Sequence, residues 1–412
     1  MWGNFKNPLK LKTEKQGSFL SLDFGGSFLR AAIFSKGEDG KLNLSSFAKT
    51  PTPKGAVVEG LIRDEGALLL ALSEIIKEVT FSSGTTPQKC VCGLSGQSVI
   101  NFLTPVRLTR DNPSKPLDLK ELTSFSDKIK DMTSLEVEKS LVEIVGSEER
   151  EYEITGTTIE GFKVDGYPLP EPLGFTGQTL EITISTEVAP TANLVNIRSM
   201  LKKLGLKLES ARGLLSSITS IVGGKASEDF NAIMIDAGAN KTEIGLVFGG
   251  EVVSNRCFGI GGADVSSYLG EVLNLTTDIS EQEKLAYSIG SVSDESREKI
   301  GLAIEKSLAT WGEGVLLTLS DFTGVKTFPD SILLFGGCAK MEDYTQALNK
   351  LSWTGALPFT AKPSVSVVSP EKILSTFINK TGRELEYADI FALAIGGVYF
   401  LDLGKTDAYN FI

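Results

Sequence analysis

The chain has 412 residues, 41% hydrophobic and 23% charged, a length that exceeds one ordinary core and implies two or more domains. Its net charge of −11 argues against a general nucleic-acid binder, because neutralising phosphates needs an excess of Lys and Arg. There is no histidine, which removes His-based acid–base catalysis and His metal ligands, and no apolar run approaches the ~20 residues of a membrane span.

Residues 1–16 form an arm in which Trp2, Phe5, Leu9 and Leu11 alternate with Lys6, Lys10, Lys12 and Lys15. It reads as a disordered terminus, with a weak contact to an anionic membrane or a partner as the second reading. It lacks the continuous apolar core of a signal peptide, so a cytoplasmic protein is expected. Residues 17–47 read as three strands with turns at 23–27 and 36–41. The stretch LSLDFGGS at 20–27 ends a strand in the carboxylate of Asp23, beside Gly25, Gly26 and Ser27. A loop at 51–60 precedes a helix N-capped by Asp64, with Leu68, Leu72, Ile75 and Ile76 on one face. A fourth strand at 89–93 is followed by a turn at Ser95 and Gly96. Cys90 and Cys92 share one face of that strand, either as half a metal site or as small buried hydrophobes. The chain lacks the second Cys pair and the His that such a metal site needs, which favours burial.

A loop at 111–116, a polar helix at 118–139 and a strand at 151–162 follow. The segment VDGYPLPEPLGFTGQTLE at 164–181 reads, taken alone, as a Pro/Gly-rich surface loop. An amphipathic helix at 193–204 is stopped by Gly205, a strand comes at 206–209, and 213–222 (GLLSSITSIV) is an apolar helix. The stretch NAIMIDAGANKTEIGLVFGGEVVSNRCFGIGGAD at 231–264 organises the rest. A strand at 232–235 reaches Asp236, and a turn through Gly238 leads to a second strand at 242–248 that begins with Thr242. After a third strand at 252–253, Gly261 and Gly262 open a helix that runs to 273. Glu281 and Lys284 lie in EQEK at 281–284, and 294–319 is one long helix. A strand at 331–335 precedes Gly336-Gly337-Cys338, and a closing helix spans 387–401. One Asp-x-Gly turn is an ordinary hairpin. Two strand–Asp-x-Gly–strand units far apart in one chain mark a duplicated fold that closes on one ligand from two sides. Gly at such turns lets backbone amides approach a phosphate without a Cβ in the way.

These three Gly turns, in this order, resemble the phosphate 1, phosphate 2 and adenosine motifs of the actin/Hsp70/sugar-kinase ATPase superfamily, over nearly the whole chain. The resemblance implies an α/β, actin-like (ribonuclease H-like) duplicated ATPase fold with two lobes. The segment at 164–181 resembles the "DG…nPxGmxGxxLe" signature of a small inserted α+β domain, 1C or SHS2. That domain marks the FtsA/PilM family of actin-like ATPases. The implied organisation is an arm at 1–16, subdomain 1A at 17–100 and 188–228, and 1C at 101–187. Subdomain 2A follows at 229–267 and 330–385, 2B at 268–329, and a closing helix with the C-terminus at 386–412.

By the same resemblance the ligand is ATP with Mg²⁺, which Asp23 and Asp236 would hold through water as the catalytic pair. The amides of Gly25, Gly26 and Ser27 would hold the terminal phosphates, with Gly238 and Thr242 near Asp236 on the other side, and Gly261 and Gly262 would also line the nucleotide site. Glu281 and Lys284 would bind ribose or base, and Gly336 and Gly337 would let adenine lie on the backbone. Such a site positions phosphates and neutralises their charge. Two departures bear on activity. The family's Gly-Gly-Gly-Thr-Thr-Asp is replaced so that Lys241 stands where a phosphate-touching hydroxyl is usual, either adding a cation or facing solvent. The helix at 213–222 offers Ser216, Ser217, Thr219 and Ser220 but no water-activating Gln or Glu. ATP binding with weak or no hydrolysis is expected.

Three classes compete. A small-molecule kinase needs a catalytic Asp or His beside a substrate cleft, and none stands out. An Hsp70-type chaperone needs a long substrate-binding extension. A scaffold of the FtsA kind, or the pilus-assembly kind of PilM, needs the inserted domain. The scaffold reading implies self-association into filaments at the inner face of the membrane. Its partner would be an FtsZ-like division protein or a pilus inner-membrane protein. The chain ends KTDAYNFI without a terminal amphipathic helix, so peripheral or indirect membrane contact is expected.

Overall fold

The computed structural model describes residues 17–145, 151–223 and 229–403. The arm at 1–16 and the tail at 404–412 lie outside the described residues, and so do the expectations placed on them.

The chain opens with an antiparallel meander, β1 (Ser18–Phe24), β2 (Phe28–Lys36) and β3 (Leu42–Pro51). The 51–60 loop carries the first half of a small hairpin, β4 (Val57–Val58) with β5 (Leu61–Ile62). Helix α1 (Glu65–Ser83) then crosses back to β6 (Lys89–Leu94), which lies parallel to β1. Asp64 caps α1 by accepting a hydrogen bond from the amide of Ala67 at 2.9 Å. Leu68, Leu72, Ile75 and Val79 form its buried stripe. After an intervening unit come α4 (Thr191–Lys203), β11 (Lys207–Gly213) and α5 (Leu214–Gly223). The first sheet has the order β11-β6-β1-β2-β3, extended at its edge by β17 (Ile378–Asn379).

The second half repeats this plan. Strands β12 (Ala232–Ala237), β13 (Thr242–Phe248) and β14 (Glu251–Phe258) form an antiparallel meander. Helices α6 (Gly262–Leu273), α7 (Thr277–Ser288) and α8 (Asp294–Ser320) lead to β15 (Ser331–Phe335), parallel to β12. Helices α9 (Glu342–Lys350) and α10 (Trp353–Ala356) precede β16 (Ser364–Val367). The second sheet reads β14-β13-β12-β15-β16, which is the order of the first, with the same strand directions. The duplication suggested by two Asp-x-Gly turns is therefore a duplication of whole sheets.

Each sheet has its own helical cover, and both share a third core. Phe34 and Val91 of the first sheet, Met234 and Phe335 of the second, and Leu215 and Ile218 of α5 pack together there. The closing segment joins this core as two helices, α12 (Tyr387–Ala392) and α13 (Ala394–Leu403), where the sequence suggested one. The helix restarts after Leu393, and a Cβ on Gly396 would stand 2.3 Å from the Phe34 ring. That close approach seats α13 against the first sheet. The short helix α11 (Glu371–Leu374) packs against α5 and α12.

The intervening unit runs from Ile100 to Pro190. Strands β7 (Ile100–Thr109), β8 (Tyr152–Val164), β9 (Tyr167–Leu169) and β10 (Thr179–Pro190) form a separate antiparallel sheet, order β7-β10-β8-β9. Helices α2 (Leu119–Ser124) and α3 (Ser126–Val145) cover it through Leu122 and Ile129, which meet Val106, Leu108, Leu180 and Ile182. The 164–181 segment is a folding device within this unit. Asp165 accepts hydrogen bonds from the amides of Gln178 and Thr179 at 3.0 and 2.8 Å. Arg110, nearly fully buried, donates to Glu121 at 2.8 and 2.9 Å and to the carbonyls of Lys115 and Gly177. Those bonds satisfy a buried guanidinium and pin two irregular loops at once.

Candidate functional site

The two hairpin turns stand opposite each other. The Asn240 side-chain amide donates to the Gly26 carbonyl at 3.4 Å, so the turns of β1–β2 and β12–β13 touch. In the first, Asp23 sits near the end of β1, level with Arg30 across the hairpin and with Gly93 on β6. Arg30 donates to Asp23 at 3.0 Å and to Asp389 at the start of α12 at 2.7 Å. Lys49 also bonds Asp389, at 3.1 Å. Thr52 braces the turn by donating its hydroxyl to the Gly25 carbonyl and its amide to the Ser27 carbonyl. Among the described residues, the amides of Gly25, Gly26 and Ser27 have no protein acceptor. Free amides converging on one turn make an anion-binding concavity.

The second turn is built of buried charge. Asp236 lies on β12, level with Phe335 on β15. Lys241, at the far end of the turn, points inward rather than to solvent. Its ammonium is 3.2 Å from Glu243 and 3.9 Å from Asp236. Burial opposes the Lys241 charge, but Glu243 and Asp236 outweigh it and hold its pKa above the ordinary lysine value. Asp236 is pushed up to about 6 by burial; Lys241 opposes this, and Glu243 and Asp23 add to it. The ammonium stands nearer Glu243, which explains why its pull on Asp236 does not cancel the effect of burial. Glu243 also accepts from the Gly96 amide at 2.6 Å and from the Asn255 side chain at 2.8 Å. Asn255 in turn bonds the Val99 carbonyl and the Asn101 amide. A polar network thus joins the second sheet to the segment after β6. Glu243, Asn255 and Gly96 were not among the sequence candidates. For Glu243 the signal is a carboxylate inside a strand that is buried from Thr242 to Val247.

The remaining candidates fall into three groups. Thr242 is fully buried, and its hydroxyl donates to the Ile260 carbonyl and accepts from the Trp311 indole, both at 2.8 Å. Its hydroxyl therefore locks β13 to α8, and the structure gives it no open face toward a phosphate. Gly261 and Gly262 pack the start of α6 onto the second turn, with the Gly262 amide donating to the Gly238 carbonyl at 3.0 Å. Lys284 reaches the same place, donating to the Gly262 carbonyl and to Glu281, both at 2.7 Å. Glu281 also accepts from Ser266. Gly238, Gly262, Lys284 and Cys338 are thereby brought together, with the Cys338 thiol 3.2 Å from the Gly238 carbonyl. Gly336 has φ +92, and a Cβ there would stand 2.2 Å from the Asp236 carboxylate. Gly337 lies beside Ala388 of α12. The first two Gly turns thus touch through Asn240 and Gly26, and the third stands against Asp236 of the second through Gly336.

On α5, Ser216 accepts from the Asn101 side chain and Ser217 donates to the Gly213 carbonyl. Cys90 and Cys92 are buried free thiols 3.8 Å apart, which suits the packing reading. A cavity of about 880 Å³ adjoins the Glu243 network through Gly96 and Asn255, and is lined further by Leu61, Arg63, Ile100, Tyr152 and Asn193. Among the described residues, no three His, Cys, Asp or Glu side chains converge as a metal-ligand group. The free amides of the first turn suit a polyphosphate, while Arg30 and Lys241 nearby are each already paired with two carboxylates. A divalent ion at Asp23 and Asp236 does not fit the pair as it stands, because each carries a basic partner.

The paired sheets, each with its Asp-bearing first hairpin, define the actin-like ATPase fold. No family model matches the chain. The sequence is 24% identical over 274 residues to the cell division protein FtsA of Streptococcus pneumoniae serotype 2 (strain D39 / NCTC 7466). That match covers 66% of this chain and 56% of the relative, so the chain spans little more than half of that protein's length. Among solved structures, a PilM-PilN type IV pilus biogenesis complex matches with a TM-score of 0.59 and 19% identity. It covers 93% of this chain and 98% of the other. Within the actin-like class, then, the sequence likeness is to FtsA and the structural likeness is to PilM, in agreement with the resemblance that the motifs carry.

Proposed function

We propose that the protein binds ATP between its two lobes and acts as an actin-like scaffold at the inner face of the membrane, with FtsA-like division as the first reading. One observation carries the nucleotide site: two duplicated Asp-bearing turns face each other, with Gly336 behind the second. The free amides of Gly25, Gly26 and Ser27 would take the terminal phosphates, and Gly336 and Gly337 would lie against the base. Lys284 and Glu281 would flank the ribose. Turnover is slow or absent in this reading, because α5 presents hydroxyls that already bond Asn101 and Gly213.

The unit from Ile100 to Pro190 would be the family's 1C domain and the surface for self-association and partners. Its support is the short edge strand β9, where Tyr167 is 75% exposed and Phe175 nearby is 47% exposed. Uncovered sheet edges pair readily with another chain. The PilM-like reading, pilus assembly with an inner-membrane partner, is supported by the structural match over nearly the whole chain. Co-purification separates the two, with an FtsZ-like protein expected for the first and a pilus inner-membrane protein for the second.

Calorimetry with ATP tests the site itself. The wild type should bind, and Gly336→Ala should lose most of that affinity, because the new methyl would displace the Asp236 carboxylate. Absence of binding, or equal binding by the variant, would sink the assignment.

A further inference from the structure

The segment between β6 and β7 is held by both lobes. On the second lobe, Glu243 accepts from the Gly96 amide at 2.6 Å. Asn255 of β14 donates to the Val99 carbonyl at 3.1 Å and accepts from the Asn101 amide at 2.9 Å. On the first lobe, the Glu59 carbonyl accepts from the Gln97 amide at 2.9 Å, and the Asn101 side chain donates to Ser216 of α5 at 3.0 Å. The segment itself is braced, because the Ser98 hydroxyl accepts from the Ser95 amide and donates to the Ser95 carbonyl across the 3₁₀ turn at 96–98. Asn101 is paired directly with Glu187 of β10, and Glu187 accepts from the Gly213 amide at 3.0 Å. The unit from Ile100 to Pro190 therefore stands with the root of β7 tied to both lobes and the root of β10 tied to the first.

The two Asp-bearing turns touch through Asn240 and Gly26, so a phosphate seated between them must change their spacing. A relative movement of the lobes by about 1 Å would stretch the 2.9 Å bond from the Asn101 amide to Asn255 beyond the ~3.2 Å of ordinary N–H···O geometry. Asn101, Val99 and Asn255 are all buried, and a buried amide or carbonyl left without a partner is strongly disfavoured. The lower-energy course is for the unit to turn with β14. Asn255 also donates to Glu243 at 2.8 Å, and Glu243 holds the Lys241 ammonium at the second turn, so one bonded chain runs from that turn to β7. We infer that the unit from Ile100 to Pro190 is re-aimed when a nucleotide seats between the turns, with Asn255 as the positioning residue that carries the movement of the second lobe to β7. The inference rests on the proposed nucleotide site and adds how that site acts on the surface proposed for partners.

Electron-spin distance measurements on the full chain test it. One label is placed at Leu70 of α1 and the other at Leu135 of α3 or at Tyr167 of β9, all more than half exposed. Saturating ATP with Mg²⁺ should shift at least one of the two distances by about 2 Å or more, the scale of helix movements in switching proteins. Asn255→Ala, which loses the ties to Val99, Asn101 and Glu243, should lose most of that shift. Calorimetry on the same proteins shows whether ATP is bound, and thermal melts show whether the variant folds. Should Asn255→Ala fail to fold or to bind, the wild-type measurements with and without ATP decide alone. Bound ATP with no shift in the wild type would overturn this inference and leave the nucleotide site standing. An equal shift in a folded, ATP-bound Asn255→Ala would do the same. Absence of ATP binding by the wild type would overturn the nucleotide site and this inference with it.

Discussion

The two hairpins occupy equivalent places in equivalent sheets, yet they handle their carboxylates differently. Asp23 is partnered by Arg30, which passes the charge on to the buried Asp389 and through it to Lys49. Asp236 sits, about as buried as Asp23, beside a lysine that leans toward Glu243. The first hairpin is tied to the closing helix α12, and the second, through Glu243 and Asn255, to the segment that follows β6 in the opposite lobe. A duplicated backbone therefore carries two unequal electrostatic solutions. Both are largely buried; the first matches its carboxylates with two cations, and the second holds one lysine between two carboxylates where it bridges the lobes.

The largest effect should come from breaking the second hairpin. Glu243→Ala leaves Lys241, the Gly96 amide and Asn255 without their shared acceptor, and should cost about 3–5 kcal/mol in chemical denaturation. A cost below about 1 kcal/mol would show that the network contributes little.

Asp236→Asn should act in the opposite sense. With its pKa at about 6, above the ordinary 3.8, the folded Asp236 holds its proton better than the unfolded chain does. Stability is therefore greatest below the unfolded value and falls as pH rises through the window from about 4 to about 6. The variant carries no such penalty, so it should be more stable than wild type by about 2 kcal/mol at pH 7.5 and no more stable at pH 3.5. Equal pH profiles for both proteins would remove the contrast between the two hairpins.

The smallest effect is expected at the first hairpin. Asp389→Asn leaves Arg30 with Asp23 and Lys49 with Glu386, and should cost about 1.5–3 kcal/mol. A loss as large as that of Glu243→Ala would make the two sides equivalent after all.

Much of this was legible in the residues. Strand–Asp-x-Gly–strand names both hairpins, because a carboxylate ending an apolar run beside glycine has few other structural uses. Asp64, Gly205 and the long helix α8 were equally plain, since caps and helical periodicity are local signals. The inward turn of Lys241 was not legible, because it depends on Gly96, which is remote in sequence and makes room for the stem. Thr242 looked like a phosphate ligand by position, but Trp311 on α8 claims its hydroxyl. The break at Leu393 was hidden for a similar reason: YADIFALAIGGVYFL is apolar throughout, and packing of Gly396 on Phe34 sets the path.

The unit between Ile100 and Pro190 leaves and rejoins the host side by side. Val188 of β10 is paired directly with Ile100 of β7, so the two junctions are one strand spacing apart, roughly 5 Å. For the surrounding fold, about ninety residues are then topologically equivalent to a tight hairpin bend. An ancestor could have acquired, exchanged or lost such a graft without re-registering a single strand of either lobe. Recognition surfaces could diverge on the graft while the cleft evolved under separate constraints.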